Sequence, residues 1–492
     1  MIRKLQFLKT AVLSAFLLGG ANLAWGDNTV TVTVGETSTY YATLRAAIEA
    51  NAFKDPSGNI EVSISADQSL GDKVISWEPT ANTNYTLTIK ATTDITIKGP
   101  NASRWFTAKN NGANLIVGDG VNEITLDGEY SGGTTKQRTQ AVALHNNTSA
   151  NITFNKVTFK NFNLNNAVNM IVGEKGAGII TLQDVTISNC VNPKDAYIDN
   201  LCTQNDKVLL KGTFTIDNES SGTEFKTTFE NTSNRGRIKV DDSNFTATRV
   251  LKIKYTNMPT AIGSGPVVVR TQNTTANILN YFDLDEDEYG FYMTGNDLKI
   301  TQAYKLTVGA AKAATLVLPF ESKIPSGVSC YTLHYTTGNS AATKTLVETT
   351  LPANTPVLIN AEEGSYKFVS TATSGDFATG SEAVTFGALT GVYSETTVPS
   401  ESYILYNGTS GLGFYKSDGS TNTVEAYRAY LTADGAGSRT FIGFDDETTG
   451  IDSVVKQDTK TADNVYYNLS GQRVANPSKG LYIVNGKKVI IK

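Results

Sequence analysis

Apolar and polar residues alternate in short phrases that return down the first half of the chain. They read ITIKG at Ile95, ITLDG at Ile124, ITFNKVTFKNF at Ile152, ITLQDVTISNC at Ile180, VLLKGTFTIDN at Val208, IKVDDSNFTAT at Ile238 and VVR at Val268. Their leading positions lie 29, 28, 28, 28, 30 and 30 residues apart. Alternation with period two turns one face of each short strand inward. Between Phe154 and Val157 the apolar phase slips by one residue, which predicts a bend. A unit of this length, with strands and no recurring helix, buries its apolar face only by stacking on its neighbours. The pattern therefore predicts a right-handed parallel β-helix of seven coils, on the order of 30 Å long at about 4.8 Å per coil.

Superposing successive phrases lays Asn161 on Asn189, and one insertion brings Asn218 into the same register. Amides stacked at a turn would hydrogen-bond from coil to coil, so these three are expected to be structural. Cys190 falls on Phe162, which predicts a buried structural thiol. Upstream, Leu44, Ala47 and Ile48 in YYATLRAAIEANAF have the spacing of one helical face. An amphipathic helix there would cap the open first coil.

This layout, a tLRaAIea helix followed by itIkG and itLDG, resembles the N-terminal region of pectate-lyase-like β-helix proteins over about Tyr40 to Ile300. The resemblance is architectural and is shared by enzymes and adhesins.

After Thr301 the rhythm gives way to strands between Gly and Pro turns, including YKLTVGAAKAATLVLPF, SCYTLHY, TPVLIN and AYRAYLT. This pattern predicts an antiparallel β-sandwich. Its phrases resemble a recurrent domain of secreted Bacteroidota proteins. The polar TTGIDSVVKQDTKTADN reads as a linker. In the final stretch, Leu481–Val484 and Lys487–Ile491 flank Asn485-Gly486, a strong hairpin signal because both turn residues need positive φ. YNLSGQRV, KGLYIV and NGKKVIIK resemble the C-terminal sorting modules of Bacteroidota type IX exported proteins, which implies attachment to the outer-membrane surface.

The expected organisation is an all-β chain with a signal peptide at 1–26, a β-helix at 27–301, a β-sandwich at 303–447, a linker at 448–464 and a C-terminal β module at 465–492. The signal is read from Arg3, Lys4 and Lys9 before an apolar run, with Ala24 and Gly26 two apart. Its apolar run is shorter than the roughly 20 residues of a membrane span, so no transmembrane segment is expected after cleavage. Removing those three cations takes the net charge from −5 to −8, with both signs scattered, which argues against nucleic acid as a partner. Thr, Asn, Gly, Val and Ile dominate, as strands and turns require. Three cysteines make no disulfide framework, although Cys190 and Cys202 are close enough in sequence to pair.

Candidate chemistry is sparse. His145 and His334 read as structural histidines, and no G-x-S-x-G phrase marks a nucleophile. Neither paired histidines nor spaced cysteines suggest zinc. In FDLDEDEYG, alternate carboxylates Asp283, Asp285 and Asp287 offer weak calcium candidates, but the EF-hand glycine turn and distal glutamate are missing. A solvated acidic loop is the simpler reading. Arg237-Ile238-Lys239 resembles the RIK element of polygalacturonases without that family's other motifs, and is taken as chance. Lys156, Lys160 and Arg249 would serve a β-helix lyase as base, yet no spacing singles one out. Trp105, Tyr130 and Tyr281 would stack on sugars if exposed, though core packing is the commoner role. The Asn-x-Ser/Thr phrases at Asn101 and Asn151 follow from composition.

The expected function is that of an exported, adhesin-like surface protein of a Gram-negative bacterium. It would bind a glycan or a host or surface protein through the β-helix wall, with no catalytic residues and no cofactor beyond the calcium candidates. The alternatives are a β-helix polysaccharide lyase or glycoside hydrolase acting on acidic glycans, and a structural stalk.

Overall fold

The computed structural model describes residues 28–53, 58–99, 105–129, 142–144, 149–162, 171–173, 178–190, 197–199, 207–217, 224–229, 237–255, 258–265, 267–273, 276–284, 286–446, 466–468, 472–474, 477–484 and 487–491. Strands hold 55% of it and helices 3%, so the protein is all-β. The signal peptide and linker expected from the sequence lie outside the described residues, as do His145, Cys202, Asn101 and Tyr130.

The first half is a parallel β-solenoid. One inward column runs Ile60, Leu87, Leu115, Ile152, Ile180, Val208, Ile238 and Val269, all buried. A second column, one strand further along, runs Ile95, Ile124, Val157, Val185 and Phe214. The end strands of the first column each carry an antiparallel cap, Val30–Val34 against Ile60–Ile64 and Asp297–Val308 against Val267–Thr271.

The sequence phrases mixed the two columns. Ile124 stacks on Val157, whereas Ile152 stacks on Leu115. From the second column to the first column of the next coil takes 23 residues between Val157 and Ile180, but 28 between Ile124 and Ile152. Five inserted residues therefore imitate one period. At the far end the pairing is Ile238 with Val269, one residue beyond the Val268 that alternation suggested.

The bend lies where the phase slip predicts it. Asn151–Lys160, Ile180–Ser188 and Val208–Asp217 turn at Lys156, Asp184 and Gly212, with φ of 59°, 50° and 66°. One left-handed residue redirects a strand without breaking its ladder, and shifts the inward face by one position. In the preceding coil the same corner is the longer Gly118–Glu123 excursion between separate strands.

The solenoid interior holds an aromatic chain, with ring centroids 5.6 Å apart for Phe106–Phe154, 5.1 Å for Phe154–Phe159, 6.2 Å for Phe159–Phe162 and 4.9 Å for Trp105–Phe162. Offset and edge contacts of this kind add to the burial of large apolar surfaces. Trp105 is thus core and not a sugar platform. Tyr281 is half-buried and meets Phe245 edge-on at 5.5 Å.

At the N-terminal cap the helix is short, Leu44–Glu49. The Thr43 hydroxyl accepts the Ala46 N–H, an N-cap bond. Asn51, at φ 54°, follows just past the helix, so the apolar spacing does not extend into a longer one. Leu44 and Ala47 are buried and Ile48 is half-buried.

A single strand, Asp297–Val308, leaves the solenoid and enters the second half. Its residues up to Gln302 pair with Tyr289–Thr294, and from Ala303 onward with Gly364–Ser370. A ten-stranded sheet lies beyond, with one core around Leu306, Leu316 and Phe368 and another around Leu333, Phe414 and Leu431. Its strands are antiparallel except Ala341–Val347, which pairs in parallel with Phe441–Asp446. At the C-terminus four short strands form a separate antiparallel sheet, in which Val484 opposes Lys487 across the Asn485-Gly486 position. Among the described residues no helix is long and apolar enough to cross a membrane.

Candidate functional site on the solenoid wall

The bent corner creates a recess on the outside of the solenoid. Threonine alternates with inward apolar residues in the second strand of each coil, so parallel pairing stacks Thr96, Thr125, Thr158, Thr186 and Thr215 in one outward file. The corner residues Glu123, Lys156 and Asp184 rise beside this file. Together with Thr158, Thr186, Thr213 and Thr215 they line a recess of about 210 Å³.

Each charged group there has a fixed partner. Lys156 Nζ donates to the Val121 carbonyl at 2.8 Å, and Glu123 accepts the Thr158 hydroxyl at 2.6 Å. The Asp184 carboxylate accepts the Thr213 N–H at 2.8 Å from the next coil. These bonds hold two carboxylates and one ammonium in set positions, with threonine hydroxyls and methyls between them. Such a surface can accept from and donate to a hydroxyl-rich ligand while covering its apolar patches.

The sequence-level candidates are dispersed. Asn161 and Asn189 do occupy one turn column, with φ of 55° and 49°. Asn161 Nδ2 donates to Asp127 Oδ1 at 2.9 Å, so its coil-to-coil bond runs to the carboxylate of the preceding coil. Asn218 lies outside the described residues. An amide pair that sequence reasoning missed is Asn114 and Asn151, where Asn151 Nδ2 donates to Asn114 Oδ1 at 3.0 Å. In the sequence Asn151 stands out only as the start of an Asn-x-Thr phrase.

Asp283 and Asp287 sit at the solenoid's exit, against lysines of the second half. Lys367 Nζ lies 2.7 Å from Asp283 and also donates to the Leu284 carbonyl, and Lys305 Nζ lies 3.0 Å from Asp287. Asp285 is outside the described residues, among which no group of three His, Cys, Asp or Glu side chains is placed to hold a metal ion. A calcium ion there would compete with two ammonium groups already in place.

Cys190 is buried as expected, its thiol 3.5 Å from the Phe159 carbonyl, and burial pushes its pKa up to about 12. His334 is exposed at the end of its strand. Lys160 and Arg249 are outside the recess, and of the proposed lyase bases only Lys156 lines it. The sequence does not single out Glu123 or Asp184; of the two, Asp184 alone sits at a phase slip, between Leu182 and Val185. The chain matches no protein-family model, no curated protein and no solved structure with which it was compared.

Proposed function

We propose that this is an exported surface protein that binds a glycan or a surface protein through the solenoid wall. The observation that carries the reading is the recess at the corner, where Glu123, Lys156 and Asp184 flank a file of in-register threonines. Repetition at the inter-strand spacing suits an extended ligand lying along the stack. The resemblances to pectate-lyase-like coils and to Bacteroidota C-terminal sorting modules support the same reading, that of a protein held on the outside of an outer membrane.

The same recess gives a second reading some weight, since a lyase needs a basic group beside carboxylates. Lys156 and Asp184 meet that requirement in residue type. A glycan array run in parallel with an assay for unsaturated uronic acids separates the two. Binding that weakens in Lys156→Gln without any turnover supports the adhesin. Turnover abolished by the same substitution would replace it with the lyase, and neither binding nor turnover would leave the stalk.

A further inference from the structure

Where the solenoid ends, the shared strand carries Tyr304 into a second recess, of about 250 Å³, whose lining shares no residue with the wall recess. Its walls are aromatic. The Tyr304 and Tyr427 rings are 4.8 Å apart and tilted by 45°, and Tyr289 meets Phe377 edge-on at 5.8 Å. Tyr427 holds φ at 62°, uncommon for so bulky a residue, and backbone bonds to Val317 and Val392 keep it there. Among the described residues nothing hydrogen-bonds the hydroxyls of Tyr304 and Tyr427.

The rim is acidic. Asp287 and Glu288 line it, and Lys305 is the cation beside them, spent on Asp287 at 3.0 Å. Aromatic faces attract the C–H face of a sugar ring or a cation. Carboxylates at the rim select the cation, and tyrosine hydroxyls supply further polar contacts. An amino sugar satisfies all three: an apolar ring face, ring hydroxyls and an ammonium. A lysine side chain offers only the last and is too slender to fill a recess walled by large rings.

We propose that this recess binds a glycan carrying free amino groups, one amino-sugar ring lying against Tyr289, Tyr304 and Tyr427 with its ammonium directed at Glu288 and Asp287. The site is independent of the wall recess and holds or fails separately.

The test is calorimetric titration of the full mature chain with a glucosamine trimer, its fully N-acetylated counterpart and trilysine. The free-amine trimer should bind about tenfold more tightly than the acetylated one, the worth of one charge-assisted contact. Glu288→Gln should weaken binding about two- to fivefold, as loss of an exposed charge contact does. Lys305→Met, which frees Asp287, should strengthen it by a similar factor, a gain that misfolding does not produce. Equal affinity for the acetylated trimer, unchanged affinity in both variants, or no binding would overturn the proposal. Trilysine binding as tightly as the amino sugar would reassign the recess to basic peptides.

Discussion

The Asp184 carboxylate and Gly212 are stacked corner to corner in successive coils, so close that a Cβ on Gly212 would stand 2.3 Å from Asp184 Oδ1. Gly212 also holds φ at 66°. The same carboxylate oxygen accepts the Thr213 N–H. Gly212→Ala should therefore displace the carboxylate from its bond as well as strain the backbone, lowering stability by about 1–3 kcal/mol. Urea unfolding of the two proteins side by side measures the difference; equal midpoints would show that the corner yields freely.

Acid should weaken the solenoid through Asp241. The Ser243 hydroxyl at 2.6 Å is the main influence that holds this carboxyl below the usual range, with Lys211 adding to it. A depressed folded-state pKa contributes stability that is present above the unfolded value of about 3.9 and is lost as pH falls through the lower folded value. Asp241→Asn should remove that part of the acid sensitivity. Thermal melts of both proteins from neutral pH to below the carboxylate range should converge at the acid end.

Cys330 lies wholly buried within the sandwich core, and burial pushes its thiol up to about 12. Near neutral pH it should resist a thiol-specific chromogenic reagent in the native protein and react fully after denaturation. Rapid labelling of the native state at Cys330, located by peptide mapping, would contradict the packing.

Deleting Asn464 to Lys492 should leave the solenoid and sandwich folded, since among the described residues the C-terminal strands pair only with one another. Circular dichroism and melting of the truncated protein check the first half of that statement. Cell fractionation checks whether surface retention is lost; retention equal to that of the whole chain would refute the anchoring role.

Period-two alternation made the strands legible, and the phase slip at Phe154–Val157 marked the corner, because a left-handed residue must shift the inward face by one. Register was not legible. The five residues inserted between Ile124 and Ile152 restore a false 28-residue step, and only the pairing of Ile124 with Val157 exposes it. The wall recess was half visible: Lys156 stood among candidate bases, but Glu123 and Asp184 come together with it only through stacking across coils. The aromatic recess was invisible for a similar reason, since Tyr304 and Tyr427 are far apart in sequence and meet across the sandwich.

The strand Asp297–Val308 changes partners between Gln302 and Ala303 without a turn or a gap. At about 3.4 Å per residue it is a splint of some 40 Å. A pull on the sandwich side is therefore delivered to the last coil as shear along hydrogen bonds rather than as peeling of a loose tether. If the C-terminus is fixed to a surface and the wall holds a ligand, the covalent load path between them runs through this strand, braced by the pairing of Ala261–Ile262 with Gly375–Asp376 and by Lys367 on Asp283.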